Sequence, residues 1–284
     1  MIIRIDSLTF RYPNGTTALD GVSFDVGAGE RVAIVGANGA GKSTLARHLV
    51  GMERPASGTI EIDGRRTDGL GIAELARTVG FVFQNPDDQL HAASVVKEVG
   101  FGPRNLRFPP ARRAELVESA LRRTDLTAAR DTHPHHLSLG ERKRVALASV
   151  LAMDTPVVVL DEPTTGQDHA SIVLLGNLVD SLAAEGRTVL AITHDMDFCV
   201  EHFDRVIVLA NGRVAWDGPV AHWPAHVADT ADESLELPQL TRLGRRLGWE
   251  GPVTTVPGFL DRLSSGTDPA PLPSAQPRIP LRDR

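Results

Sequence analysis

The 284-residue sequence predicts an α/β fold, in which a parallel sheet wrapped by helices is joined by an antiparallel β layer, an inserted helical lobe and a short C-terminal extension. Three observations carry this reading. Short apolar β-branched runs at residues 157–160 and 188–192 alternate with helical patterns, as strands buried on both faces do. The apolar residues from Ile2 to Val26 instead alternate about a Pro13-Asn14-Gly15 turn, the period of a strand with one wet face. Between about Ala92 and Met153, strand-like runs vanish and helix-type spacing takes over.

In chain order, residues 2–26 read as two strands, and residues 59–62 add a third before Asp63-Gly64. Residues 31–35 form a strand that runs into a glycine-rich turn and a helix, and residues 79–83 form another strand. Helical spacing covers residues 111–123 and 141–153. After the runs at 157–160 and 188–192, residues 206–210 and 213–216 flank Asn211-Gly212, a pair suited to a tight hairpin. Beyond Pro252 the prolines crowd together, and residues 264–284 have too few large apolar side chains to fold by themselves. The expected division is a main unit over 1–220 with its helical lobe at about 92–153, a partly helical extension over 221–263, and a loose Pro-rich tail over 264–284. No internal repeat is evident.

Several function classes are disfavoured. The longest nearly apolar stretch, residues 145–153, contains Ser149 and stops at Asp154, far short of the roughly 20 residues that cross a bilayer. The N-terminal residues alternate and carry charge where a signal peptide needs an apolar block. With Cys199 as the lone cysteine there is no intrachain disulfide, so a reducing cytoplasm is the expected compartment. Thirty Lys and Arg against 36 Asp and Glu give a net charge of -6, so nucleic acid is not an expected partner despite the local run Arg142-Lys143-Arg144.

The strongest chemical signal is Gly36-Ala37-Asn38-Gly39-Ala40-Gly41-Lys42-Ser43-Thr44, a P-loop pattern between a predicted strand and a predicted helix. Such glycines let backbone N–H groups curl around phosphates, Lys42 adds a positive charge, and Ser43 is placed to ligate Mg²⁺. The metal needs a carboxylate at the end of a neighbouring strand, and Asp161 follows residues 157–160. Glu162, one position further, would point toward the γ-phosphate, where a carboxylate can deprotonate an attacking water. Alone, an Asp-Glu pair after a strand reads as a solvated turn; the P-loop upstream favours the catalytic reading.

Leu137-Ser138-Leu139-Gly140-Glu141, followed by Arg144, resembles the LSGGQ signature of ABC ATPases. Further matches fall in the family order: Tyr12 ahead of the P-loop, Gln84 after the strand at 79–83, Thr164-Thr165-Gly166-Gln167-Asp168 after the two acids, and His194 after Ile192-Thr193. Together they cover roughly residues 1–220 and imply a P-loop NTPase core of the RecA-like kind. The resemblance implies that Tyr12 stacks on adenine, with simple packing at a sheet edge as the alternative. It implies that Gln84 senses Mg²⁺ and the water, and that His194 contacts the γ-phosphate. Asp168 would cross toward a second subunit, with a helix N-cap as its quieter alternative. Ser138, Gly140 and Glu141 would reach the nucleotide bound by that subunit, so that two chains sandwich two nucleotides. Leu139 in place of the signature's middle glycine, and Gln167 in place of the usual leucine, are departures, and both belong to the expected dimer interface.

The run Phe83-Gln84-Asn85-Pro86-Asp87-Asp88-Gln89, with Val99 to Leu106, looks like the ATPase subunits of energy-coupling factor importers, the cobalt and vitamin group. Leu237-Pro238-Gln239-Leu240-Thr241-Arg242-Leu243 is similar to that group's extra helix. This resemblance implies a subunit peripheral to the cytoplasmic face of the membrane, with residues 84–106 forming a docking groove. Its partners would be a second ATPase chain, a transmembrane coupling subunit and a substrate-binding membrane subunit. The alternatives are a soluble ABC ATPase acting on a non-membrane partner, and a nucleotide-gated module without catalysis, which Glu162 and His194 argue against. His133-Pro134-His135-His136 invites a metal reading, weighed against a partly exposed loop ahead of the signature helix.

Overall fold

The computed structural model describes residues 1–223, 237–249 and 251–265 and resolves the two kinds of β pattern into two separate sheets. In the first, β1 (Ile3–Arg11) pairs antiparallel with β2 (Thr17–Val26) and with β4 (Ser57–Ile62), and β5 (Arg65–Arg66) completes the edge. Tyr12 N–H donates to Thr16 O at 2.9 Å, closing the expected turn. Ile3, Ile5, Leu8 and Phe10 are buried although their spacing slips by one after Ile5. A register shift between Ile5 and Leu8, with Ser7 at φ 52°, absorbs the extra residue and keeps all four side chains on the core face.

The second sheet has the order β10-β9-β3-β8-β7-β6. Its parallel strands are β3 (Arg31–Val35), β6 (Val79–Val82), β7 (Val157–Asp161), β8 (Thr188–Ile192) and β9 (Arg205–Ala210). β10 (Arg213–Pro219) returns antiparallel through Asn211-Gly212, so the sheet is mixed at that edge. Val32, Ile34, Val157, Val159, Leu190 and Ile192 pack toward the antiparallel layer and α1 (Lys42–Leu49). Ala33, Val35, Val158, Leu160, Val189 and Ala191 pack into the other core, with the helices. Burial on both faces explains why these strands are apolar throughout rather than alternating.

A one-turn helix α2 (Ile72–Leu75) precedes β6. The helical insertion between β6 and β7 comprises α3 (Val95–Val99), α4 (Phe101–Asn105), α5 (Pro110–Arg123) and α6 (Leu139–Leu151). α5 starts on Pro110, whose missing N–H is no loss in a first turn. α6 starts two residues before the expected position because Ser138 and Glu141 form a reciprocal capping box. After β7 come α7 (His169–Ala184) and, after β8, α8 (Met196–His202).

The C-terminal residues carry α9 (Gln239–Arg246) and α10 (Val256–Ser264). Trp249, Val253 and Phe259 form a small core with Leu240 and Leu247. Asp197 on α8 accepts from Gln239 N–H at 2.8 Å and ties α9 to the main unit. Helix α10 runs through Ser264, inside the span where the loose tail was expected to begin; Thr255 caps it and Pro257 sits in its first turn. The remainder of that expected tail, residues 266–284, and residues 224–236 of the extension lie outside the described residues.

Candidate functional site

The parallel strands deliver the predicted residues to one edge of the sheet, outside their C-terminal ends, where α/β proteins bind ligands. β3 ends at the loop beginning with Gly36, β6 leads to Gln84, β7 ends in Asp161, and β8 leads through Thr193 to His194. A Cβ on Gly36 would run into Leu209 O, and one on Gly41 would run into Ala18 O; both glycines have positive φ. The loop therefore needs bare backbone at both points to lie this close to β9 and β2. Ala37, Asn38 and Gly39 are exposed at its rim.

Lys42 is buried, and its ammonium donates to Gly36 O at 2.7 Å and Ala37 O at 3.0 Å. Burial lowers its pKa from the usual lysine value, while Glu162 and Asp161 oppose that shift. Ser43 Oγ lies 3.4 Å from Asp161 Oδ1. Burial raises the pKa of Asp161, and the neighbouring Glu162 carboxylate raises it further. Two hard oxygen donors facing each other, one of them a buried carboxylate beside a second acid, suit a small divalent cation. With the glycine cradle and Lys42 beside them, the residues present fit Mg²⁺ carried by a nucleoside triphosphate.

Tyr12 sits beside this loop rather than apart from it. Its hydroxyl and Thr44 Oγ1 are 2.8 Å apart, and its ring meets Phe10 edge-on at 5.0 Å. Glu162 is buried at φ 46°, in a conformation uncommon for a residue with a Cβ. Its Oε2 is 2.8 Å from His194 Nδ1 and accepts from Thr165 Oγ1 at 3.4 Å. The His194 side chain is 64% exposed while that of Glu162 is 11% exposed, so the imidazole stands between the carboxylate and solvent. Gln84 is exposed in the loop after β6.

The signature residues gather at the start of α6. Ser138 Oγ accepts from Glu141 N–H at 3.3 Å and donates to Glu141 Oε2 at 2.7 Å, which lowers the Glu141 pKa. Ser138 and Leu139 are exposed. Both departures from the family pattern lie where the start of α6 packs on the turn after β7: Leu139 lies against Gly166, and Gly140 faces the Gln167 amide. Asp168 caps α7 by accepting from Ser171 N–H at 2.8 Å.

Two residues that the sequence shows only as members of longer runs, with no role of their own, also shape the site. Lys143 is buried, and its ammonium donates to Glu162 O at 3.1 Å and Thr165 O at 2.6 Å. A signal existed: Lys143 lies three and four residues before Ala146 and Leu147, on the apolar face of its helix. Gln89 accepts from Phe83 N–H at 3.2 Å and donates to Ala146 O at 2.8 Å and Ser149 Oγ at 2.9 Å. No sequence pattern separates such an amide from an ordinary loop glutamine. His133, His135 and His136 form a group of neighbouring rings, and His133 Nδ1 accepts from His135 N–H at 3.3 Å. Among the described residues, no group of three or more His, Cys, Asp and Glu is arranged to hold a metal ion.

Beside the loop after β6 lies an apolar groove of about 330 Å³, lined by Val79, Phe81, Phe83, His91, Phe101 and Met153 among others. Residues 84–106 supply only one wall of it; the segment after α1, α2, β6 and the end of α6 supply others. Among the described residues, no helix is long and apolar enough to cross a membrane.

A family model described as ABC transporter matches residues 19–165. An energy-coupling factor transporter ATP-binding protein of Methanocaldococcus jannaschii is 40% identical over 244 residues, which are 85% of this chain and 88% of that protein. The structure of cbiO1 from Clostridium perfringens, described as part of the ABC transporter complex cbiONQ, superposes with a TM-score of 0.72 at 35% identity. It covers 92% of this chain and 98% of that one. A dimeric ABC transporter cassette, MJ0796, has a TM-score of 0.71 at 27% identity, covering 77% of this chain and 99% of its own. The chain also spans 43% of the length of longer putative ABC transporter ATP-binding proteins of Methanosarcina acetivorans and Methanosarcina mazei, at 41% and 40% identity.

The fold and the nucleotide loop thus define a P-loop ATP-binding cassette. The chain belongs to the ABC transporter ATP-binding family, and within it is closely related to the energy-coupling factor transporter ATPases.

Proposed function

We propose that this chain binds and hydrolyses MgATP as one of two ATPase subunits, identical or paralogous, on the cytoplasmic face of a membrane. The hydrolysis would drive a transmembrane coupling subunit and a substrate-binding membrane subunit of an energy-coupling factor importer for a micronutrient. The observation that carries the reading is the convergence at one sheet edge of the glycine loop with Lys42, the Ser43–Asp161 oxygen pair, and Glu162 held 2.8 Å from His194. The ATPase unit would be residues 1–220 with its lobe at about 92–153, followed by the extension over 221–263 and the tail over 264–284.

In this mechanism the backbone N–H groups from Gly36 to Ser43 and the Lys42 ammonium bind the phosphates, and Tyr12 offers its ring to the adenine. Mg²⁺, held by Ser43, Gln84 and Asp161, supplies neutralisation of phosphate charge when bound. Glu162 accepts the proton of the attacking water, and His194 keeps the carboxylate oriented and shielded from solvent. Ser138, Gly140 and Glu141 of a second copy close over the phosphates, and Asp168 lies at the seam between copies. The exposure of Ser138 and Leu139 and the dimeric state of the similar MJ0796 cassette support this arrangement. The apolar groove walled in part by residues 84–106 would receive a helix of the transmembrane partner.

The test is Glu162→Gln. Hydrolysis falls by about 100-fold or more, as loss of a general base implies, while ATP still binds and an ATP-bound dimer accumulates on size-exclusion chromatography. Unchanged turnover would sink the assignment of Glu162. A wild-type chain that hydrolyses ATP yet assembles with no co-expressed transmembrane subunit would leave the ATPase and remove the importer.

A further inference from the structure

Lys143 is 8% exposed, and its ammonium reaches the carbonyls of Glu162 and Thr165 at 3.1 and 2.6 Å. Glu162 opens the turn that follows β7, and Thr165 lies within it. The Glu162 N–H is held as well, donating to Ile192 O at 2.8 Å. Both backbone polar groups of Glu162 are therefore fixed while the residue sits at φ 46°, a conformation that persists only when its surroundings impose it. The carboxylate is positioned by this backbone, because Thr165 Oγ1, within the same turn, also donates to Glu162 Oε2.

An ammonium is a costly way to fill space in a core. Burial lowers the Lys143 pKa, and an apolar side chain of similar volume would avoid that penalty. What an apolar side chain cannot do is satisfy two carbonyl oxygens at once. Lys143 also stands on α6, five residues after Ser138, the cap of that helix.

We infer that Lys143 is a positioning residue for Glu162, a strut that fixes the turn carrying the carboxylate to the helix that begins at Ser138. The inference rests on the ATPase reading above. Any displacement of α6 when Ser138 engages a nucleotide on a second copy is passed through the Lys143 ammonium to the backbone of Glu162. A chain would thus adjust its own hydrolytic carboxylate according to what its signature segment grips.

The experiment compares Lys143→Met and Lys143→Gln in the full-length chain, each alone and combined with Glu162→Gln. Methionine keeps much of the stem and removes the donors, whereas glutamine returns two N–H donors without the charge. K143M is expected to lower kcat by about tenfold or more, the scale set by a misplaced catalytic group, with KM for ATP within about twofold. K143Q is expected to stay within about threefold of the wild-type kcat on the same grounds. In the E162Q background, K143M should leave the amount of ATP-driven dimer on size-exclusion unchanged. A wild-type kcat for K143M would overturn the strut, and so would a parallel fall of kcat and dimer. If K143M does not fold, K143Q decides: a folded, ATP-binding K143Q as slow as E162Q overturns the proposal, and near-native turnover upholds it. E162Q hydrolysing at the wild-type rate would instead remove Glu162 as the base, whereas inactive E162Q beside fully active K143M removes only the strut.

Discussion

Gly36 illustrates how much of the nucleotide loop is steric. Its φ of 145° and the Leu209 carbonyl facing it leave no room for a Cβ, so Gly36→Ala combines a strained backbone with a displaced strand edge. Backbone strain of this kind costs about 1–3 kcal/mol before any clash is counted. G36A should melt well below the wild type by calorimetry and lose ATP binding in equilibrium titration; native melting with native affinity would contradict the geometry. The sequence pattern announced this glycine, but it did not show that Leu209, 173 positions later, is the atom it makes way for. Lys42 and Lys143 give the complementary lesson. Both ammonium groups are buried against carbonyls, yet only Lys42 belongs to a motif that the chain displays in one stretch. Lys143 acquires its meaning from Glu162 and Thr165, which reach it through the fold.

At the scale of elements, α6 is the hinge piece between site and groove. Its first turn presents Ser138, Lys143 grips the turn after β7, and Ala146 and Ser149 hold Gln89 in the loop after β6. Removing the Gln89 side chain leaves the Phe83 N–H without this partner, whereas the Ala146 carbonyl keeps the Ser149 hydroxyl. A buried donor so orphaned costs about 1–3 kcal/mol. Q89A is therefore expected to lower the melting temperature and to speed hydrogen exchange across residues 83–91, with exchange in β1 and β2 unchanged. Equal exchange in the loop would mean that Gln89 does not hold it. Helix existence was legible from spacing alone for α5 and α6, because apolar residues recur at helical intervals over more than three turns. The periodic signal begins two residues after α6 itself does, since the capping box places polar Ser138 and Glu141 in its first turn. The short helix α10 was not separated from the Pro-rich region, because its stability comes from Phe259 packing on Trp249 at 4.8 Å rather than from its own composition.

Across the whole molecule, distant parts of the chain are joined by charge as well as by the two apolar cores. Arg31 at the start of β3 donates to Asp204 ahead of β9 and to Asp180 on α7. The hydrogen bond from Arg31 lowers the Asp204 pKa. A carboxylate whose folded pKa lies below its unfolded value stabilises the protein above the unfolded value, about 3.9 for Asp, and that contribution is lost as pH falls through the folded pKa. Arg31→Met should therefore destabilise the protein at neutral pH and converge with the wild type below about pH 4. Because the Asp204 side chain is 54% exposed, the gap at neutral pH from this carboxylate should be about 1 kcal/mol or less, and melting curves between pH 3 and 7 read it directly. A gap that widened in acid would reverse the assigned sign. The sequence by itself determined the α/β class, both sheets' strand patterns, the phosphate loop, the Asp161-Glu162 pair and the order of the family motifs. Each of these is written in neighbouring residues, through turn chemistry, periodicity or a short motif. Only the tertiary structure decided that the bulge at Ser7 rescues the strand register, that Leu139 and Gly140 pack against Gly166 and Gln167, and that Lys143 supports Glu162. Those relations join residues remote along the chain or depend on strand pairing, and such proximity exists only once the sheets and helices have packed.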